Sequence, residues 1–128
     1  MRTPQGTPSA VCAVSCGTDN DAIAMGSGSL PVFATPSMVA LMEKAASNAC
    51  AELLEEGETT VGTYIAVSHS SATPHGLEII ARAELSEVNG RELTFNVLAC
   101  DRAGEIGSGI HKRVVVNGEK LVAKANSK

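Results

Sequence analysis

Three side chains in the first seventy residues carry types suited to acid–base or nucleophilic chemistry. Glu43 is a carboxylate among Val39, Met42, Ala46 and Cys50 in an otherwise aliphatic stretch. A carboxylate at the edge of an apolar face is either desolvated, which raises its pKa, or held ionised by a hydrogen-bonding partner. Both states suit a general base acting on water, although a carboxylate at such an edge can also turn out to solvent. His69 is the next-to-last residue of the run Thr60–Ser70. If that run is a strand, Thr63, Ile65, Val67 and His69 share one face, so the imidazole points toward a helix or an interface. A lone inward histidine is more often a satisfied core group than a catalyst. Thr35 stands directly before Pro36. That is the pattern of a helix N-cap, whose hydroxyl accepts from a first-turn N–H, followed by a proline at the first helical position. Capping explains Thr35 fully, yet a capping oxygen can still donate its own proton. Helix-start N–H groups, those of Ser37 and Met38 being nearest once Pro36 is discounted, also suit an oxygen gaining negative charge.

The other reactive types are less informative. His75, in Thr73-Pro74-His75-Gly76, reads as an exposed turn residue, and His111 lies in a strand whose faces are both mixed. Cys12, Cys16, Cys50 and Cys100 show no paired CxxC spacing, which favours reduced thiols in a cytoplasmic protein over a metal site or disulfides. No metal and no cofactor is expected. Half of the basic residues, Lys112, Arg113, Lys120, Lys124 and Lys128, fall late in the chain. They form either a solvated tail or a small patch for the phosphates of a cofactor-like substrate.

The elements that must hold these groups follow from spacing. Met38, Val39, Met42, Ala46, Ala49, Cys50 and Leu53 share one broad face at about 100° per residue, predicting a helix from Pro36 to Leu54 that stops at Gly57. Ahead of it, Met25 to Phe33 is rich in Gly and Ser and reads as a flap, without the Lys of a phosphate loop. Ala10–Cys16 is a first short strand, and residues 1–9 are expected to be frayed. Thr60–Ser70, Leu77–Val88, Arg91–Cys100 and Glu105–Val116 are four more strands, with Asn89-Gly90 a hairpin turn between the second and third of them. Strands grouped after one long helix indicate α+β, with one sheet wrapped round the helix in a single domain spanning 1–128.

Composition narrows the function. Hydrophobic residues make up 44% of the 128-residue chain but aromatics only 2%, and the net charge is −4. Such a chain offers neither a field for a phosphate backbone nor a platform for stacking bases, which argues against nucleic acid. No apolar run approaches the roughly 18 residues of a membrane span. A core built on small aliphatics leaves apolar surface suited to oligomer formation.

Taken together, several stretches resemble the hotdog-fold thioesterases of the fluoroacetyl-CoA thioesterase-like family. They are Val32-Phe33-Ala34-Thr35, Met38-Val39, Leu41-Met42-Glu43, Gly62-Thr63, Val67-Ser68-His69, Ala72-Thr73-Pro74, and Glu105 to Gly109 with His111 and Arg113 beyond. The resemblance implies an antiparallel sheet round a central helix and a homodimer, or a higher oligomer, with acyl-CoA sites at the interface. It implies that Thr35, Glu43 and His69 are catalytic, activating water or a hydroxyl nucleophile. Gly62, Phe33, Ser37, Met38 and Arg113 are the implied substrate-binding residues. The implied reaction is hydrolysis of a short acyl-CoA to a free acid and CoA, with CoA as part of the substrate. A non-catalytic acyl-CoA-binding domain on the same fold is the alternative. The fluoroacetyl-specific enzyme carries aromatic residues in the lid ahead of its helix. Here Met25-Gly26-Ser27-Gly28-Ser29-Leu30 has none before Phe33, so the resemblance predicts the reaction more firmly than the acyl group.

Overall fold

The structure, a computed structural model, describes residues 1–128. Five antiparallel strands form one sheet in the order β1-β3-β4-β5-β2. They are β1 (Ser9–Ser15), β2 (Glu58–His69), β3 (Glu78–Asn89), β4 (Glu92–Asp101) and β5 (Gly104–Asn117). Alternation places Ile79, Ala81, Ala83 and Leu85 of β3, with Leu93, Phe95, Val97 and Ala99 of β4, on the buried face. Across that face lies helix α2 (Thr35–Ala49), which buries Met38, Leu41, Met42, Ala45, Ala46 and Ala49. The helix rests mainly on β1 and β3, so β2, at the far edge, stays largely uncovered. Ile65 is 38% exposed even though its alternation turns it to the helix side. This is the α+β hotdog architecture expected from the sequence.

The helix begins and ends differently from its sequence expectation. Ala34, not Thr35, is the N-cap residue, with no side-chain cap, and Thr35 and Pro36 form the first turn. The helix stops at Ala49, and a single 3₁₀ turn, Ala51–Leu53, carries the chain onward. Tightening of this kind satisfies terminal carbonyls without a glycine.

The segment before α2 is a pinned lid. It contains one short helix, α1 (Ala22–Met25), capped by Asp21, whose carboxylate accepts from Ala24 N–H at 2.8 Å. Bridges pair Asp21 with Phe33 and Val32 with Pro74. His75, exposed as expected, also donates from Nε2 to Asp21 Oδ2 at 2.8 Å. The Ala24 N–H, and then His75, hold the Asp21 carboxyl below its ordinary range.

Both chain ends are also more ordered than the sequence suggests. Residues 1–9 were expected to fray, but Arg2 N–H donates to Leu53 O at 2.7 Å and the Met1 amine lies 2.9 Å from Glu58 Oε1. Glu58 is held down at about 2 by the Glu55 N–H, then by Arg91 and that amine. At the other end, the expected basic tail is helix α3 (Gly118–Asn126), because the Asn117 side chain caps it by accepting from Lys120 N–H.

Close pairing of β2 and β5 near the helix start depends on glycines, Gly107 and Gly109. A Cβ at Gly107, paired with His69 across β2 and β5, would stand 2.5 Å from Ser68 O and 2.6 Å from Met38 Sδ. The first of these atoms is backbone and cannot rotate away. Gly107→Ala is therefore expected to destabilise the fold by about 2 kcal/mol through overpacking. A lower urea midpoint at unchanged m-value checks this, and an unchanged midpoint refutes it.

Candidate active site

The three predicted catalytic residues fall in two clefts spaced along α2, each between the helix and β2. At the start of α2, Thr35 Oγ1 and His69 Nδ1 share a hydrogen bond of 2.7 Å. Because Thr35 is not the cap, its hydroxyl is free for this contact. The pair opens on a cleft of about 260 Å³ between Ala22, Ser27 and Val32 of the lid and Ser70–Ala72 beyond β2. Phe33, 1% exposed, forms its floor.

Glu43 lies two turns on, which at 1.5 Å per residue is ~12 Å along the axis. Its cleft, about 210 Å³, is lined by Gly62, Thr63, Tyr64, Ile65 and His111. The Glu43 side chain is 43% exposed, with Oε2 3.6 Å from Arg113 Nη1. Gly62 makes room for it, since a Cβ there would lie 2.6 Å from that oxygen. An arginine on one side and a missing side chain on the other leave an accessible, oriented carboxylate.

Arg113 is fixed from below. Its Nε donates to Thr60 Oγ1 at 2.9 Å, Nη2 to Thr60 O at 3.0 Å, and Nη1 to His111 Nε2 at 3.1 Å. His111 is 1% exposed and donates from Nδ1 to Tyr64 O at 2.8 Å. Burial pushes the His111 pKa down, and the Arg113 charge adds to that effect. The ring is thus neutral and offers a lone pair to the guanidinium, so its 4.0 Å approach to Glu43 is not an ion pair.

A β-bulge lets one strand serve both clefts. Gly62 and His69 are an odd number of residues apart and would face opposite sides of an unbroken strand. Between Gly62 and Tyr64 the register slips, leaving Thr63 as the extra residue, so both Gly62 and His69 face α2. A third cleft of about 260 Å³, lined by Val14, Met25, Phe33, Ala40 and Leu41, shares only Phe33 with the Thr35 cleft. It contains none of Thr35, Glu43 or His69 and is set aside as a reaction site.

Three of the expected substrate-binding residues have other duties. Met38 is a core side chain at 0% exposure, and its N–H donates to Ala34 O at 3.0 Å, so it offers no free donor. Ser37 donates its hydroxyl to Asn20 O at 2.8 Å and fastens the lid. Arg113, 7% exposed, has Nη1 3.6 Å from Glu43 Oε2, whereas Lys120 and Lys124 lie on the exposed helix α3. The sequence reading missed His111 as part of the Glu43 cluster. The signal available was its two-residue spacing from Arg113, which puts both on one face of β5.

Comparison with known proteins places this geometry in a lineage. The family model described as fluoroacetyl-CoA-specific thioesterase matches residues 18–119. The fluoroacetyl-CoA thioesterase of Streptantibioticus cattleyicolor is 50% identical over 97 residues, covering 76% of this chain and 70% of that protein. The solved structure of the fluoroacetyl-CoA thioesterase FlK superposes with a TM-score of 0.92 at 37% identity, over 98% of both chains. A thioesterase superfamily member from Thermus thermophilus gives a TM-score of 0.89 at 26% identity, over 99% of this chain and 94% of that one. On the match of residues 18–119 and on 50% identity to the Streptantibioticus cattleyicolor relative, the chain belongs to the fluoroacetyl-CoA-specific thioesterase family.

Proposed function

We propose that this acyl-CoA thioester hydrolase cleaves short acyl-CoAs to a free acid and CoA in a site assembled from two copies of the chain. The observation that carries the proposal is the separation of Thr35–His69 from Glu43 into two clefts of one chain. Groups ~12 Å apart along a helix do not meet on one carbonyl. β2 offers the remedy, because it is an edge strand with Tyr64 53% and Ile65 38% exposed. An unpaired apolar edge favours strand addition by another chain. Antiparallel pairing of two β2 strands, centred between Ile65 and Ala66, sets Gly62 of one chain opposite His69 of the partner subunit. That register brings the Glu43 cleft of one chain to the Thr35 cleft of the other.

In this site Glu43 removes a proton from water, and the Thr35 hydroxyl stands at the thioester carbonyl with His69 behind it. Arg113 and Gly62 orient the carboxylate, and Phe33 walls the acyl group. Four free thiols suit a reducing cytoplasm, where we place the enzyme. No helix is long and apolar enough to cross a membrane.

The lid sets the acyl preference. Met25 to Leu30 carries no aromatic ring, and Met25 and Leu30 are 46% and 63% exposed. A thiol-release assay across acetyl-, fluoroacetyl-, short branched and longer acyl-CoAs tests the proposal. Turnover of the short esters is expected, with fluoroacetyl-CoA favoured over acetyl-CoA by less than about tenfold, as one small substituent in an open pocket allows. Absence of thiol release from every ester at high enzyme concentration overturns it.

A further inference from the structure

We infer that His75 is a positioning residue that latches the lid over the helix-start cleft through Asp21, and that this latch restricts the enzyme to short acyl groups. Given the thioesterase reading, on which this assignment rests, the latch fixes one wall of the acyl cleft.

The lid has little else to hold it. Its stems are pinned, by Ala34 N–H to Asn20 O at 3.1 Å and by Phe33 N–H to Thr73 O at 2.9 Å. Between them the Ala22 N–H bond to Val32 O joins one stem to the other, not to the body of the protein. Helix α1 is a single turn that buries no residue, and Ile23, Met25 and Leu30 are 56%, 46% and 63% exposed. Apolar packing, which supplies most of the stability of a short helix, therefore contributes little within the chain. His75 is the one side chain outside residues 21–32 that hydrogen-bonds to them.

The latch stands on a rigid base. Thr73, 0% exposed, donates its hydroxyl to Asp101 Oδ2 at 2.7 Å. Gly76 N–H donates to Cys16 O at 2.9 Å. These bonds fix the chain on both sides of His75. Asp101 also accepts from Ala103 N–H, so its carboxylate is engaged and does not compete with Asp21 for the imidazole.

Asp21 is the half that makes opening costly. Its side chain is 5% exposed, against 39% for His75. One carboxylate oxygen caps α1 through the Ala24 N–H, and the other takes the His75 Nε2–H at 2.8 Å. Without the imidazole, that second oxygen loses its protein partner beneath the lid. A charge left so regains full hydration only as the lid lifts. Both groups belong to one chain, which itself encloses Asp21, so docking of a second copy leaves the bond in place.

The latched segment borders the reaction. Ala22, next to Asp21, lines the helix-start cleft of about 260 Å³ together with Ser27 and Val32. A closed lid holds that wall against a short acyl group. A lifted lid opens the cleft, which weakens the hold on a short acyl group and admits a longer one.

Hydrogen exchange reads the latch without substrate. The Met25, Gly26 and Ser27 N–H groups bond to the carbonyls of Asp21, Ile23 and Ala22, and a lone turn does not persist once its segment lifts. In His75→Ala these amides should exchange about tenfold faster, the scale of one hydrogen bond to a charged group, while amides of β3 and β4 keep their wild-type rates. Glutamine sets an amide N–H near the place of Nε2, so His75→Gln should stay within about threefold of wild type. Thiol release gives the second readout. The ratio of kcat/KM for hexanoyl-CoA to that for acetyl-CoA should rise about tenfold in His75→Ala, on the scale that pocket contacts discriminate. The change should come with a higher KM for acetyl-CoA at little-altered kcat, and His75→Gln should restore the wild-type ratio. Unchanged lid exchange, equal acceleration in lid and strands, an unchanged ratio, or a glutamine variant that behaves like alanine overturns the latch. Absence of thiol release from every ester refutes the hydrolase reading instead, and the exchange result does not depend on turnover.

Discussion

Glu43→Gln is expected to lower kcat by about 10²–10⁴-fold, the usual scale for a lost general base, while leaving the fold intact. The substitution preserves shape and a hydrogen-bonding oxygen, but the amide cannot take a proton from water. The site tolerates the exchange structurally. The Glu43 side chain is 43% exposed, and Gly62 leaves the space above it clear. Losing the charge beside Arg113 affects stability little, because the Glu43 carboxylate is 43% exposed and solvent screens its 3.6 Å contact with the guanidinium. Arg113 also keeps its bonds to Thr60 and His111. Thiol release and a thermal melt on the same preparation make the measurement. Near-wild-type cleavage by a folded variant would remove Glu43 from the mechanism.

The outcome of that experiment depends on features the sequence shows unevenly. Strand positions were legible because Ile79 to Leu85 and Leu93 to Ala99 alternate in plain apolar and polar steps, and Asn89-Gly90 marks the hairpin between them. The helix was legible from its aliphatic stripe, although Leu41 and Ala45 widen the buried face beyond the residues picked out by spacing. Thr35 was read as the cap because Thr before Pro is the commoner pattern. Only the fold shows the cap one residue earlier, at Ala34, which frees the hydroxyl for His69. Nothing local distinguishes the two, since the choice is made by the lid bonds, Ala34 N–H to Asn20 O among them.

The bulge at Thr63 was not legible for a related reason. A period-two reading assumes an unbroken ladder, so it set Thr63 with His69 and could not place Gly62 on the same side. The family resemblance brought Gly62 forward, and the register slip supplies the physical cause. Arg113 shows the opposite limit. Its charge suggested phosphate, and nothing in the sequence indicated that it would be buried between β2 and β5 with Nη1 3.6 Å from Glu43. Charge type is visible in a sequence, whereas desolvation is a property of long-range pairing.

Mixing two inactive variants should restore activity, and this is the sharpest consequence of a site shared between chains. Thr35→Val removes the hydroxyl from the helix-start cleft, and Glu43→Gln removes the base from the other. Each variant alone forms dimers in which both sites lack one group. A heterodimer of the two has one site with both lesions and one with neither, because the Glu43 of the Thr35→Val chain meets the Thr35 of the Glu43→Gln chain. Twofold symmetry makes the two sites of a parent dimer equivalent, so the heterodimer regains about half of the wild-type kcat per dimer. Co-expression with different tags and sequential affinity purification isolates that species, and native mass spectrometry confirms its composition. If each chain carried a whole site, both sites of the heterodimer would be broken and activity would stay at the parental level. That result, or a chain that remains monomeric, would refute the shared site. Recovery toward half would show why Glu43 sits ~12 Å along α2 from the hydroxyl it serves: the helix displays both groups, and the exposed edge of β2 brings each to its counterpart.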